Sequence, residues 1–319
     1  MKSAVTLNGN IRTFFMPTRE NPSMRLCDFF KINIVDQIKD CDIYICCDIT
    51  DFYMNDAVYH VGDTIETTND NGFRVYPNIK FVTPEIAKDM ISSKFKSVFH
   101  NIKSIEFTEK NMHETHKNFL KMKNSEHSGI ASERLVNQHN KIFILKQQIE
   151  TSGINYDFIF RSRLDHLFLS PLILSSYNFE KNIVYTPGFE GDRDLCYDWY
   201  IFGEANTVLS CMDLFNELDC DKKLYVIRSN CCPLKFIKDN NSCIHGTKPS
   251  DVTIASEVQL ARMCREKGII IHHSRMQGFV YRYLSEALNQ KVMDVLPKNL
   301  SGIKWVDYTA GPEVFYSTL

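Results

Sequence analysis

Tyr156-Asp157-Phe158-Ile159-Phe160-Arg161-Ser162-Arg163-Leu164-Asp165-His166 carries the strongest structural signal in the chain. Its first half is aromatic and β-branched, the composition of a strand buried on both faces. Its second half turns abruptly charged. Side chains two apart share one face of a strand. Arg161, Arg163 and Asp165 are therefore expected to point the same way, just past the apolar part. Two fixed cations and a carboxylate at the carboxyl end of a buried strand suit an anionic ligand together with a divalent cation. Ligands of open α/β sheets bind at that end. The same residues also fit an Arg–Asp ion pair that closes the strand.

The stretch is preceded by the clearest helix in the sequence, residues 131–152, with Gly153 as its C-cap. Further upstream, Ala4–Leu7 reads as a first strand. Asn8-Gly9-Asn10-Ile11-Arg12 follows as a tight polar loop in which Gly9 permits a positive φ. Residues 23–39 read as an amphipathic helix and Asp42–Cys47 as a second buried strand. Residues 49–80 read as irregular, with a turn at Asn69-Asp70-Asn71-Gly72 and a short strand at Lys80-Phe81-Val82. Thr83-Pro84-Glu85 is a helix start, with Thr as N-cap and Pro at the first helical position. Residues 85–130 are polar and weakly periodic and are expected to form a helical insertion or lid.

Downstream, Asn182–Tyr185 is a strand. The acidic loop Glu190-Gly191-Asp192-Arg193-Asp194 leads to a further strand at Asp198-Trp199-Tyr200-Ile201-Phe202-Gly203. Residues 205–218 and 252–267 read as helices, and Ile269-Ile270-Ile271 as a late strand ending in His272-His273. Strands alternate with helices, so the fold class is α/β with a mostly parallel central sheet flanked by helices. Residues 1–275 form one domain with insertions, and 276–319 an extension packed on it.

A chain of 319 residues with 44% hydrophobic and 24% charged residues can bury a sizeable core. A formal net charge of −2 argues against a general nucleic-acid binder. No stretch is long and apolar enough to span a bilayer, and the first fifteen residues are not a signal peptide, so a cytoplasmic location is expected. The eleven cysteines contain no C-x-x-C pair and fit reduced, buried thiols. Cys231, Cys232, Cys243 and His245 match no common zinc spacing, and His113-Glu114-Thr115-His116 is not H-E-x-x-H. The P-loop, Rossmann and G-x-S-x-G fingerprints are absent.

What remains is an ordered set of strand-end features. They are Gly9-Asn10-Ile11-Arg12 after the first strand, the R-x-R-x-D stretch ending at Asp165, Asp198 to Gly203, and Glu257 early in a helix. In this order the chain resembles GT-A-type glycosyltransferases, and is similar to sugar transferases of bacterial surface-polysaccharide loci and large DNA viruses. The resemblance covers roughly residues 3–275, although residues 50–130 match no part of it.

The resemblance implies a GT-A-like (Rossmann-like) sheet, a nucleotide-sugar donor (a UDP- or GDP-sugar), a glycan acceptor and a divalent cation, Mn²⁺ or Mg²⁺. Asp165 would hold the cation, with His272 or His273 as a further ligand. The usual D-x-D is here Arg163-Leu164-Asp165, so one carboxylate is missing. A literal D-x-D at Asp192-Arg193-Asp194 falls later, where it would border the acceptor or replace the metal site. Gly9, Asn10, Arg12, Gln138, Lys141, Arg161 and Arg163 would bind the donor nucleotide, and Trp199 and Tyr200 the acceptor sugar. Glu257, or else Asp198, would be the general base on the acceptor hydroxyl. Each has a plainer reading: a first-turn carboxylate at a helix N-terminus for Glu257, and core packing for one of the two aromatics. Two rivals stay open. One is a nucleotidyltransferase that releases pyrophosphate. The other is a non-catalytic glycan-binding or scaffold protein on a degenerate transferase fold.

Overall fold

The computed structural model describes residues 1–18, 21, 23–55, 57–62, 79–108, 130–187, 196–217, 256–280, 304–307 and 313–316. The expected turn at 69–72, the acidic loop with Asp192 and Asp194, the His113/His116 pair and the Cys231–His245 cluster lie outside them.

A seven-stranded sheet organises the chain. Its strands are β1 (Ser3–Asn10), β2 (Asp42–Asp48), β6 (Ile102–Thr108), β7 (Phe158–Arg163), β9 (Ile183–Thr186), β10 (Tyr200–Glu204) and β11 (Ile270–His273). Their spatial order is β11-β9-β10-β7-β1-β2-β6. All neighbours pair in parallel except β10, which runs antiparallel to both β7 and β9. The expectation of a mostly parallel α/β sheet holds. A smaller sheet joins β3 (Asp51–Met54), β4 (Ala57–Val61) and β5 (Ile79–Val82), and β8 (His166–Phe168) pairs with β12 (Gly278–Val280).

Period-two alternation places two cores on the two faces. Val5, Leu7, Ile43, Ile45, Phe158 and Phe160 face one way, against α1 (Leu26–Phe30) and α3 (Pro84–Val98). Between α1 and the short α2 (Asp36–Ile38) the helix widens to a π turn over Lys31–Val35. Ala4, Tyr44, Cys46 and Ile159 face the other way, against α4 (Ile130–Thr151), α5 (Ala205–Cys211), α6 (Leu214–Glu217) and α7 (Ser256–Glu266). Each fully buried Phe contributes about 1.5–3 kcal/mol by leaving water. Phe158 and Phe160 anchor an aromatic cluster with Phe30, Phe168, Phe179 and Phe202.

Several local expectations change. Asn8, Gly9 and Asn10 belong to β1 rather than to a loop, since all three pair with β2. Gly9 sits at φ 128°, so its predicted freedom is used at the strand end. Part of 85–130 is not a helical insertion: Ile102–Thr108 is an edge strand of the main sheet, paired with β2. Its Ile-Lys-Ser-Ile-Glu-Phe-Thr pattern is half polar because only one side of an edge strand has a neighbour. Thr83 caps α3 by accepting from the Ile86 backbone N–H at 3.4 Å and Gly153 adopts φ 67° after its helix, both as expected, and Gly268 adopts the same φ after α7. Among the described residues no helix is long and apolar enough to cross a membrane, and the seven described cysteines are free and buried.

Candidate functional site

Strand order reverses at β1: the chain adds β2 and β6 on one side and β7 on the other. β1 and β7 stay paired to their carboxyl ends, with Asn8 opposite Arg163, and a reversal of strand order is where open α/β sheets bind ligands. β10, being antiparallel, brings its amino-terminal end to the same edge: Tyr200 pairs with Ser162, and the Arg163 N–H donates to the Trp199 carbonyl at 2.9 Å. The sheet thus sets the segments around Asn8, Arg163 and Asp198 side by side.

Arg163 holds Asp165 with a bidentate contact, Nε to Oδ1 at 2.8 Å and Nη2 to Oδ2 at 2.7 Å. Its Nη1 lies 3.9 Å from Asp198 Oδ1. Burial works against the Arg163 charge, but Asp165, Asp198 and Glu257 more than offset it and raise its pKa above the ordinary value. Asp198 is 3% exposed. Its Oδ2 accepts from Gln138 Nε2, while Oδ1 is buried with no hydrogen-bond partner.

Arg161 is 1% exposed. It donates through Nε to Asn8 Oδ1 at 3.0 Å and through Nη1 to the Asp198 carbonyl. Desolvation lowers its pKa to about 10, with Asp198 opposing, so it stays charged at neutral pH. Among the described residues around Arg163, two guanidinium groups face three carboxylates: Asp165, Asp198 and Glu257.

The neighbouring strand ends extend this edge. The Arg12 N–H donates to Asn10 Oδ1 at 2.8 Å, and Asn10 Nδ2 donates to Thr50 Oγ1 at 3.2 Å. Asp48, ending β2, accepts from Thr108 Oγ1 at 2.7 Å and pairs with Lys141 Nζ at 2.8 Å. Helix α4 supplies Gln138, His139 and Lys141 to this region. His139 Nε2 lies 2.6 Å from Ser256 Oγ in the first turn of α7, and the Glu257 carbonyl accepts from the Cys196 N–H at 3.1 Å. These bonds tie α7 to α4 and to the segment that carries Asp198. Burial lowers the His139 pKa to about 4 against the opposing pull of Asp198.

The structure corrects several expected roles. The Arg161 guanidinium is a buried brace between β1 and the Asp198 segment, with Nη2 left without a hydrogen-bond partner among the described residues. Tyr200 is 0% exposed, with its ring among Phe160, Phe168 and Phe202 and its hydroxyl on Ser274, so it is core rather than an acceptor platform. Trp199, just before β10, is the half-buried one of the pair and packs on the same aromatic cluster, with its ring 6.2 Å from His166. Lys141 is 4% exposed and committed to Asp48. Gln138 is committed to Asp198.

His272 and His273 lie at the same sheet edge, but β9 and β10 separate β11 from β7. That places the two strand axes roughly 14 Å apart. The structure does not group these histidines with Asp165. Among the described residues no three His, Cys, Asp or Glu side chains form a group able to hold a metal ion. His166, beside Asp165, was missed. It is 1% exposed, its ring meets Phe168 edge-on at 4.3 Å, and burial lowers its pKa to about 3. Its place just after the strand end was the one signal available.

No family model matches the chain, and no curated protein matches it. Among solved structures it is similar to the nucleoside-diphosphate-sugar pyrophosphorylase from Vibrio cholerae RC9, at 7% identity and a TM-score of 0.37 over 84% of this chain and 90% of that one. It is also similar to mouse xyloside xylosyltransferase 1 in its apo form, at 9% identity and a TM-score of 0.31 over 85% of each chain. At these TM-scores neither structure shares the detailed chain trace.

Proposed function

We propose that the carboxyl edge of the sheet binds a nucleoside-diphosphate sugar, and that the protein transfers the sugar to a hydroxyl of a glycan acceptor. The observation that carries this reading is that the sheet sets the end of β1 beside the Arg163–Asp165 pair and Asp198 at its carboxyl edge, where strand order reverses. In this reading Gly9, Asn10 and Arg12 line the nucleotide side of the crevice. Arg163 faces the diphosphate, where a guanidinium gives paired, charge-assisted hydrogen bonds.

Asp165 is the residue that would hold a divalent cation, Mn²⁺ or Mg²⁺. The donor set fits a cation shared with phosphate rather than one held by protein alone: one hard carboxylate suffices when phosphate oxygens and water complete the shell. Such a cation would neutralise the charge that develops on the leaving diphosphate. Since carboxylates outnumber guanidiniums around Arg163, a diphosphate entering alone would meet surplus negative charge.

In the transfer, the acceptor hydroxyl oxygen bonds to the anomeric carbon. The bond from that carbon to the diphosphate oxygen breaks, and a carboxylate takes the hydroxyl proton. Asp198 is buried and bonded to Gln138, so Glu257, half-buried in the first turn of α7, is the better-placed base. Trp199, half-buried ahead of β10, would be the acceptor contact.

The test is incubation with UDP- and GDP-sugars and glycan acceptors, reading the released nucleotide. Release of the nucleoside diphosphate with sugar on the acceptor, lost in Glu257→Gln and in Asp165→Ala, supports the reading. Release of the sugar 1-phosphate, with the nucleoside monophosphate carried to another acceptor, would instead mean nucleotidyl transfer and overturn it.

A further inference from the structure

Between α4, β7, β10 and the helices α5 and α7 lies a small internal cavity of about 10 Å³, room for one water molecule and nothing larger. Every side chain that lines it is buried. Ile142, Ile201, Val208 and Leu260 give it hydrocarbon walls, with sulfur from Met212 and Cys211. Arg161 and His139 are the two lining groups able to hydrogen-bond strongly.

Each of the two has one nitrogen left over. Arg161 spends Nε on Asn8 Oδ1 and Nη1 on the Asp198 carbonyl, while Nη2 has no partner among the described residues. His139 spends Nε2 on Ser256 Oγ at 2.6 Å, while Nδ1 has none. A buried donor on a charged group is among the most costly to leave unpaired. Buried polar atoms that find no protein partner are satisfied by ordered water. Here both leftover nitrogens belong to side chains that wall the same water-sized space.

We propose that this cavity is a hydration site: one buried water molecule accepts a hydrogen bond from Arg161 Nη2 and donates one to His139 Nδ1. The direction of the second bond follows from the walls. A guanidinium can only donate, so the water oxygen must receive it. Were Nδ1 protonated, the water would receive a second N–H, and both of its own hydrogens would face hydrocarbon and sulfur. With Nδ1 bare, one of those hydrogens is used. Burial keeps the ring neutral, lowering its pKa to about 4. Its single proton is then on Nε2, which donates to Ser256 Oγ.

The water completes a chain of hydrogen bonds from Ser256, in the first turn of α7, through His139 and Arg161 to Asn8 on β1 and the Asp198 carbonyl. The chain fastens α7 to the sheet through an otherwise apolar layer. It stands apart from the nucleotide-sugar reading, because it does not depend on what the sheet edge binds.

The experiment is a crystal structure of the full chain together with ¹⁵N NMR of its histidine rings near neutral pH, with the His139 signals identified by their loss in His139→Gln. The expected result is density for a single water within hydrogen-bond distance of Arg161 Nη2 and His139 Nδ1, and a ring protonated at Nε2 and bare at Nδ1. An empty cavity, a water that reaches only one of the two nitrogens, or a ring protonated at Nδ1 overturns the site. Val208→Ile adds a methyl group to the cavity wall. In a hydrated cavity the isoleucine expels the water and strands both nitrogens, so the thermal midpoint falls and the Nδ1 resonance shifts. In a dry cavity the same substitution fills space and raises the midpoint, which overturns the site. The wild-type density and ring state decide the question if the variant does not fold.

Discussion

His139 makes the stability of this protein pH-dependent in a calculable way. It is buried at 1% exposure and its folded pKa is lowered to about 4 by desolvation, against an unfolded value of about 6.5. A histidine whose folded pKa is depressed leaves the unfolded state binding more protons, so stability rises with pH across that interval. The contribution is fully present above about pH 6.5 and is lost as pH falls toward 4. Between pH 7 and pH 5 the unfolded imidazole becomes almost fully protonated while the folded one stays neutral. This costs about 2 kcal/mol, nearly independent of where below 5 the folded pKa lies. The assay is reversible urea unfolding under reducing conditions at pH 7, 6 and 5, for wild type and His139→Gln. The glutamine can keep a hydrogen bond to Ser256 and does not titrate, so the readout is the pH slope rather than the absolute stability. Wild type should lose about 2 kcal/mol more than the variant between pH 7 and 5. Equal slopes in the two proteins would refute the claim that His139 is held neutral by burial.

Other consequences are equally concrete. A Cβ on Gly203 would stand 2.8 Å from the Ile183 carbonyl oxygen, a backbone atom that cannot yield without disturbing the β9–β10 pairing. Gly203→Ala should therefore cost about 1–3 kcal/mol in chemical unfolding. Lys141→Met removes the buried partner of Asp48 and should destabilise by about 3 kcal/mol, with the double variant Lys141→Met/Asp48→Asn recovering part of that loss; a strictly additive double variant would contradict the pairing. Tyr156 bonds Tyr44 at 2.8 Å and Asp42 at 2.7 Å through one hydroxyl, so Tyr156→Phe should lower stability by about 1–3 kcal/mol in the same assay.

The strands that were legible from the sequence were those whose composition alone demands burial. Asp42–Asp48 and Phe158–Arg163 are central, covered on both faces, and read as continuous apolar runs. The strands that were missed lie where burial is one-sided or the segment is short. Asp51–Met54 and Ala57–Val61 form a small separate sheet, and Ile102–Thr108 is an edge strand with lysine and glutamate on it. The antiparallel direction of Tyr200–Glu204 depends on how the chain returns to the sheet, which local sequence does not encode.

At the site, alternation placed Arg161 and Arg163 on one face of β7 but gave no depth along it. Arg161 is one pair further into the sheet and is enclosed, whereas Arg163 stands at the rim. Gln138 and Lys141 were expected as nucleotide contacts on the strength of the family resemblance. Those partners turned out to be Asp198 and Asp48, residues distant in sequence whose proximity only the fold creates. His139, between them, carries no sequence signal of its partner Ser256, which the fold alone brings to it.

The central claim is that the carboxyl edge of the sheet binds a nucleoside diphosphate with a cation at Asp165. The most direct measurement is the thermal unfolding midpoint of the protein with saturating UDP, GDP, CDP or dTDP, with and without Mn²⁺, beside Asp165→Ala. A ligand present at 100 times its Kd stabilises the folded state by about 2.7 kcal/mol. The account predicts a clear rise with one nucleotide, enlarged by Mn²⁺ and absent in Asp165→Ala. No rise with any nucleotide, or an equal rise in Asp165→Ala, would contradict it.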